Sequence, residues 1–234
     1  MDYFEFKRFR VYHDKCAMKV GTDGVLLGAW ADVDGCRRIL DIGCGSALVA
    51  LMVAQRVEDA QVVGVEIDVP AARQAAENCA ASPFADRLSV VCTDIANYED
   101  DDKFDCILSN PPFFEESLLP PDARRAAARH TQGLTGKCLI AHAKRLMRPG
   151  ALFHVVLPSI SKEAFVGQCA LQGLSLRKQT EVVTREGKTP KRVLLSFVND
   201  VAPQRPLRDT LVLLDRYSND RSEAYATLTK DFYL

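Results

Sequence analysis

The sequence has no run of about eighteen apolar residues, so no membrane-spanning helix is expected. Its opening, MDYFEFKRFRVYHDK, lacks the apolar core of a signal peptide, and a cytoplasmic location follows as an expectation. The eight cysteines, at 16, 36, 44, 79, 92, 106, 138 and 169, include no C-x-x-C pair, which argues against structural zinc, and no metal is expected. Most of them lie in apolar runs such as VVCTD and FDCILSN and read as reduced, buried thiols. An excess of charge of one sign is also missing: 30 Lys and Arg stand against 31 Asp and Glu, for a net charge of −1. That excludes a globally basic polyanion binder but leaves room for a local basic face. No internal repeat, low-complexity tract or convincing linker breaks the chain.

What is present is an ordinary globular composition, 47% hydrophobic over 234 residues, enough for one large domain. Short apolar runs alternate with helix-like stretches. Ile39–Ile42, Gln61–Ile67, Leu88–Cys92, Phe104–Ser109 and Ala151–Leu157 read as strands. Leu48–Val57, Val69–Ala81 (with Pro70 in its first turn), Thr135–Met147 (stopped by Pro149 and Gly150) and Lys162–Leu171 read as helices. Two further strands, Leu174–Val183 and Arg192–Val198, have nothing helical between them and read as a hairpin. The pattern predicts an α/β fold: a mostly parallel seven-stranded sheet with one antiparallel strand and helices on both faces. Residues 1–34 and 201–234 read as extensions of a single core at 35–200.

After the first strand comes Asp41-Ile42-Gly43-Cys44-Gly45-Ser46-Ala47, then a helix. Gly43 and Gly45 let the backbone turn sharply and approach a ligand at a helix N-terminus. Asp41 would repel a pyrophosphate. Glu66, 25 residues later at the end of the second strand, can accept both hydroxyls of a ribose. Asp94 ends the third strand. Alone it reads as a helix cap; with Asp41 and Glu66 it makes one acid at the end of each of three successive strands, placed for an adenine amine with Ile95 packing on the ring. An anionic lip suits a cationic cofactor without phosphates, and S-adenosyl-L-methionine, with its sulfonium and ammonium, is one.

The fourth strand runs into Asn110-Pro111-Pro112-Phe113. In an arbitrary context this is a proline-terminated strand. At the carboxyl end of a strand beside the first, it faces the cofactor crevice. The lone pair of an aromatic exocyclic amine is delocalised into the ring, so the amine is a poor nucleophile. Two acceptors aimed at its protons, the Asn110 side-chain oxygen and the Pro111 carbonyl, draw that lone pair towards a methyl donor. The prolines fix the carbonyl in advance, and Phe113 can stack on a planar substrate.

With these motifs the chain resembles class I S-adenosylmethionine-dependent methyltransferases that carry an N-P-P-[FY] motif. The segment Cys16–Trp30 (CAMKVGTDGVLLGAW), the string Ala128-Arg129-His130-Thr131 and the ending Leu228–Leu234 resemble, more narrowly, the bacterial valine-tRNA adenine-37 N6-methyltransferases. The resemblance implies a Rossmann-like fold and an anticodon-loop adenine as target. It also implies that Gly21, Thr22 and Asp23 close over the amino-acid end of the cofactor, beside the roles already given to Asp41, Gly43, Gly45, Glu66, Asp94, Ile95 and Asn110 to Phe113. One departure is Ala47, where that family's loop carries a third glycine. Independently of the resemblance, Val25–Trp30 reads as a core helix capped by Thr22 or Asp23.

Three stretches are locally basic: 6–19 at net +4, 122–129 at net +2 and 185–192 at net +3, against net −5 over 94–105. Each stretch alone is a solvated face. Clustered at the crevice, Arg124, Arg129, His130, Lys188, Lys191 and Arg192 make a rim that contacts an RNA backbone. Phe4, Phe6, Phe9 and Tyr12 either stack on RNA or form an edge strand, and His142 and His154 read as packing residues. The oligomeric state stays open, with a monomer favoured. The same chemistry also suits guanine N2 in rRNA or a protein glutamine amide. A dinucleotide oxidoreductase leaves Asn110–Phe113 unexplained, and a non-catalytic RNA-binding module is the remaining alternative.

Overall fold

Five of the seven expected strands place their carboxyl ends around one crevice, and the sheet order shows why. The computed structural model describes residues 2–111, 134–200 and 205–234. Strands β1 (Tyr3–Glu5) and β2 (Arg10–Tyr12) form a separate hairpin. The main sheet holds β3 (Arg38–Ile42), β4 (Gln61–Glu66), β5 (Leu88–Cys92), β6 (Phe104–Ser109), β7 (Met147–Pro158), β8 (Ser175–Val183), β9 (Arg192–Val198) and β10 (Leu207–Val212). Its order is β10-β8-β9-β7-β6-β3-β4-β5. Only β9 runs against its neighbours β7 and β8; every other pairing in this sheet is parallel. The seven expected strands are all present. The eighth, β10, comes from the segment read as a C-terminal extension and joins the edge parallel to β8.

The helices are α1 (Thr22–Trp30), α2 (Leu48–Arg56), α3 (Val69–Ala80), α4 (Gly136–Leu146), α5 (Lys162–Leu171) and α6 (Glu223–Thr229). Alternation along the strands divides the core between two faces. Ile39, Val62, Cys106 and Leu108 pack with α1, α2 and α3, while Leu40, Ile42, Val65 and Ile107 pack with α4 and α5. Both faces are covered, which is why the central strands are apolar almost throughout. All eight cysteines are free, and Cys36, Cys44, Cys79, Cys106 and Cys169 are buried.

Two expectations need correcting. Helix α4 ends at Leu146, ahead of Pro149 and Gly150, which lie inside β7. Met147 is already extended (φ −81, ψ 140), so Arg148 enters the conformation a residue before proline prefers. Phe6 and Phe9 are not available to stack on RNA. They are buried, stacked on each other at 4.8 Å, with Phe6 against Tyr233 and Phe9 edge-on to Phe84. The Lys7 amide donates to the Phe232 carbonyl at 2.8 Å, so the two ends of the chain hold each other.

His154 is a packing residue, as expected. It is fully buried, its Nε2 lies 3.1 Å from the Asp32 carbonyl, and burial pushes it down to about 4, so it is neutral. Trp30 ties α1 to β8 through a buried Nε1 to Thr180 Oγ1 bond of 2.8 Å. Among the described residues no helix is long and apolar enough to cross a membrane.

Candidate cofactor and substrate site

Asp41 sits at the end of the central strand β3, opposite Gly64 of β4 and Leu108 of β6. The chain then turns through Gly43 (φ 70) and Gly45 (φ 54) into α2. The Gly43 and Cys44 amides donate to the Val65 carbonyl at 2.8 and 3.2 Å, which fixes the loop to the end of β4. Gly64 leaves room for this: a Cβ there would stand 2.7 Å from the Cys44 sulfur. The third left-handed position is Ala47 (φ 64), the only non-glycine with positive φ among the described residues. Its side chain is fully buried, so the methyl group is accommodated, with backbone strain.

The three strand-end acids differ in environment. Asp41 is buried, and desolvation pushes its carboxyl up to about 7; the Ala50 amide in the first turn of α2 opposes the shift and the Glu66 charge adds to it. Its Oδ2 has no hydrogen-bond partner among the described residues. Glu66 is half-buried. Its Oε2 accepts from the Gly45 amide at 2.9 Å and its Oε1 from the Asp68 amide at 3.0 Å, which holds the carboxylate face-on at the end of β4 and leaves lone pairs on both oxygens. Asp94 Oδ1 accepts from the Ala96 amide at 2.9 Å in the turn after β5; no helix begins there, so Asp94 closes a turn and is not the helix cap that its sequence context alone suggests.

Two cavities meet at Gly43. The smaller, of about 170 Å³, is walled by Glu66, Asp94 and Ile95 on one side and by Cys138 and His142 of α4 on the other. The larger, of about 470 Å³, is lined by Gly21, Thr22 and Asp23 at the start of α1, by Asp41, Gly43 and Gly45, and by Asn110 and Pro111 at the end of β6. Helix α1 is capped by the Gly21 backbone without a side-chain bond, so Thr22 and Asp23 do not serve as caps. Asp23 instead accepts from Arg192 Nε at 2.8 Å, and Arg192 lines the same cavity. Gly24 is where α1 and Asn110 come close: a Cβ there would meet Leu48 at 2.9 Å and the Asn110 amide at 3.8 Å. Ser109 Oγ donates to the Ile42 carbonyl at 2.8 Å, locking the reaction strand to β3.

This donor set fits S-adenosylmethionine. Asp41, buried with its Oδ2 unpartnered, faces the cavity that would hold the ammonium, and a second acid, Glu66, borders the cavity that would hold the nucleoside. Cys44, in the loop between them, is a neutral thiol, since burial pushes it well above its ordinary value.

Residues 20–169 match the methyltransferase small domain family. The chain is 48% identical over 232 residues to the tRNA1(Val) (adenine(37)-N6)-methyltransferase of Phocaeicola vulgatus, covering 99% of this chain and 97% of that one. It is 43% identical over 237 residues to the protein of the same name from Haemophilus influenzae, covering 100% and 99%. The chain belongs to this methyltransferase family.

Among solved structures, a predicted O-methyltransferase from Agrobacterium tumefaciens shares the fold at a TM-score of 0.70 and 21% identity, over 90% of this chain and 96% of that one. Pyrococcus horikoshii TYW2, solved with MeSAdo, shares it at 0.55 and 17%, over 78% and 64%.

In this family member every residue read as a cofactor contact borders one or other cavity. Asn110 and Pro111 share the larger one with the glycine loop, while Pro112, Phe113, Arg124, Arg129 and His130 lie outside the described residues. The β8–β9 hairpin, whose end of the sheet the sequence leaves open, stands at the carboxyl edge, because Arg192 pairs with Pro158 at the end of β7. Lys188 and Lys191 are exposed there, whereas Arg192 turns inward to Asp23.

Sequence reasoning missed Met18, Lys19, Val156 and Pro158 in the larger cavity and Cys138 and His142 in the smaller. Spacing offers one signal: Cys138 and His142 are four apart and share a face of α4. Burial, then the Arg145 charge, lowers His142 below its ordinary value.

Proposed function

We infer that this chain transfers a methyl group from S-adenosylmethionine to N6 of adenine 37 in tRNA1(Val). The observation that carries the reading is identity of 42 to 48% over at least 99% of the chain with several proteins of that name. The geometry suits it, because the reaction strand and the cofactor loop open on one cavity. Bound there, S-adenosylmethionine supplies an electrophilic methyl group on a sulfonium.

The remaining work falls to the chain's own residues. Asp41 neutralises the ammonium, Glu66 holds the ribose and Asp94 the adenine amine of the cofactor. The Asn110 side-chain oxygen and the Pro111 carbonyl accept the two protons of the target amine, pulling its lone pair out of the ring and aiming it along the line of displacement. Phe113 stacks on the extruded base. The methylated ammonium loses its extra proton readily, so no strong base is needed, and His142 and His154 have no acid–base part. The rim residues Arg124, Arg129, His130, Lys188 and Lys191 contact the RNA backbone, and the compartment is the cytoplasm, where tRNA is found. Residues 1–34 and 201–234 extend one catalytic core.

Labelled-methyl transfer to total tRNA, followed by nucleoside analysis and mapping, tests the reading. The expected product is N6-methyladenosine at position 37 of tRNA1(Val). Label found only in protein, or in guanine of rRNA, overturns it.

A further inference from the structure

The C-terminal strand β10 has no part in the crevice, yet the loop that follows it carries the most exposed aromatic residue among the described residues, Tyr217, 87% accessible. Because β10 runs parallel to β8, the loop that follows it, 213–221, emerges at the same carboxyl edge as the β8–β9 hairpin. The loop is built firmly. Asp215 Oδ1 accepts from the Tyr217 and Ser218 amides at 2.8 and 3.0 Å, and the Ser222 amide returns to the Leu213 carbonyl at 2.9 Å. Arg185 of the hairpin reaches into it, donating to the Asp215 and Ser218 carbonyls and to Asn219 Oδ1 at 2.6 Å. Arg216 stands 5.5 Å from the Tyr217 ring centre and 3.6 Å from Glu186 of the hairpin. Hairpin and loop are therefore one joined surface.

Apart from the Arg216 contact, the described residues leave the Tyr217 ring and the hairpin lysines without partners. Tyr217 packs on no core residue, and Lys188 and Lys191 are exposed with no ion pair among the described residues. An exposed ring on a rigid loop, next to unpaired lysines, matches the chemistry of single-stranded nucleic acid: ammonium groups for phosphates and a flat face for a base. Four strand spacings of about 4.8 Å separate β10 from β6, so the ring stands roughly 20 Å along the sheet from Asn110. An ordered RNA arm can bridge that span and a lone nucleoside cannot.

We propose that loop 213–221 extends the RNA-binding rim beyond the β8–β9 hairpin: Tyr217 stacks on an unpaired base of the anticodon arm, away from the methylated adenine, while Lys188 and Lys191 of the rim hold the adjoining phosphates. The proposal rests on tRNA being the substrate.

Fluorescence anisotropy of a labelled anticodon-arm RNA titrated with the full chain, at several salt concentrations, tests it. Tyr217→Ala is expected to weaken binding five- to tenfold, roughly the lower end for loss of one stacked base, and Tyr217→Phe to stay within about twofold of the parent chain. Lys188→Gln with Lys191→Gln is expected to reduce the slope of log affinity against log salt by about two. S-adenosylhomocysteine affinity and thermal unfolding should not change in any of the three. Parent-like RNA affinity in Tyr217→Ala, or an unchanged salt slope in the double lysine variant, overturns the surface. Methylation by the parent chain is measured in parallel: if tRNA is methylated while Tyr217→Ala binds normally, the surface alone fails. If no tRNA is methylated, the substrate reading fails, and the Tyr217 comparison still reports on RNA binding.

Discussion

The carboxyl edge of the sheet has two halves of opposite sign, with the reaction strand between them. On one side, β3, β4 and β5 end in Asp41, Glu66 and, two residues past the strand, Asp94. On the other side, the hairpin between β8 and β9 carries Lys188 and Lys191, β9 begins at Arg192, and the loop after β10 carries Arg216. Strand β6, carrying Asn110, lies between the halves. The acids are sheltered at the cavity walls, where a low dielectric makes one charge matter, whereas Lys188, Lys191 and Arg216, unlike the inward-turned Arg192, are exposed, where salt screens them. A small cation held by few strong contacts suits the first half, and a polyanion held by many weak ones suits the second. The overall charge of −1 is the sum of these opposed regions and describes neither.

The largest expected effect lies on the dividing strand. Asn110→Ala removes one of the two acceptors for the target amine and should lower kcat by about a hundredfold or more. Affinity for both cofactor and RNA should stay close to the parent, since neither half is touched. Single-turnover methylation alongside equilibrium binding checks this, and an equal loss in binding would place Asn110 in recognition instead of reaction.

Next comes the acidic half. Asp41→Asn should weaken S-adenosylmethionine binding by about ten- to a hundredfold, the usual range for losing the charged partner of a hydrogen bond. The parent's affinity should fall as pH drops through about 7, as Asp41 takes up a proton, and the variant should lack that dependence. Stability runs the other way. The folded carboxyl titrates near 7, far above its unfolded value of about 3.8, so its favourable contribution is complete below about 4 and is lost as pH rises to 7. Relative to the parent, Asp41→Asn should therefore gain on the order of 2 kcal/mol between pH 5 and pH 8. Calorimetry for binding and chemical denaturation for stability, both against pH, read the two opposite trends.

A finer division falls within the basic half. Arg192 and Lys191 are neighbours in sequence, but Arg192 pairs with Asp23 across the larger cavity and Lys191 faces solvent. Arg192→Ala should weaken cofactor binding several-fold by freeing Asp23, with little change in the salt dependence of RNA binding. Lys191→Ala should do the reverse, removing about one unit of salt slope. Matching behaviour in the two variants would erase the boundary drawn between them.

Much of this arrangement was legible in the sequence, for physical reasons. Strands buried on both faces are apolar almost throughout, so ILDI, QVVGVE and FDCILS declare themselves, and the acids that interrupt their ends stand out. Strand β10 does not, because it is an edge strand with Leu207, Arg208, Asp209 and Thr210 all exposed, and its sequence LRDTLV carries no core signature. The burial of Phe6 and Phe9 depends on Phe84 and on Tyr233, partners distant along the chain, and Arg192 meets Asp23 across 169 positions. Long-range partners of this kind leave no local pattern, so a basic run reads as uniform when one of its members faces inward.

The smallest effect belongs to the hinge of the acidic half. Ala47 occupies a left-handed conformation that costs an L residue roughly 1–2 kcal/mol, and its two companions in the loop are glycines. Ala47→Gly relieves that strain but also frees the unfolded chain and removes a buried methyl group, both of which act against the gain. The net should be a rise in stability of about 0.5 kcal/mol, seen as a small upward shift in the denaturation midpoint. Cofactor affinity should hold, because the contacts that set the lip, Gly45 to Glu66 and Gly43 to Val65, lie on the other side of Ser46. A loss of affinity instead would mean that the Ala47 methyl group itself shapes the approach of the cofactor to the loop.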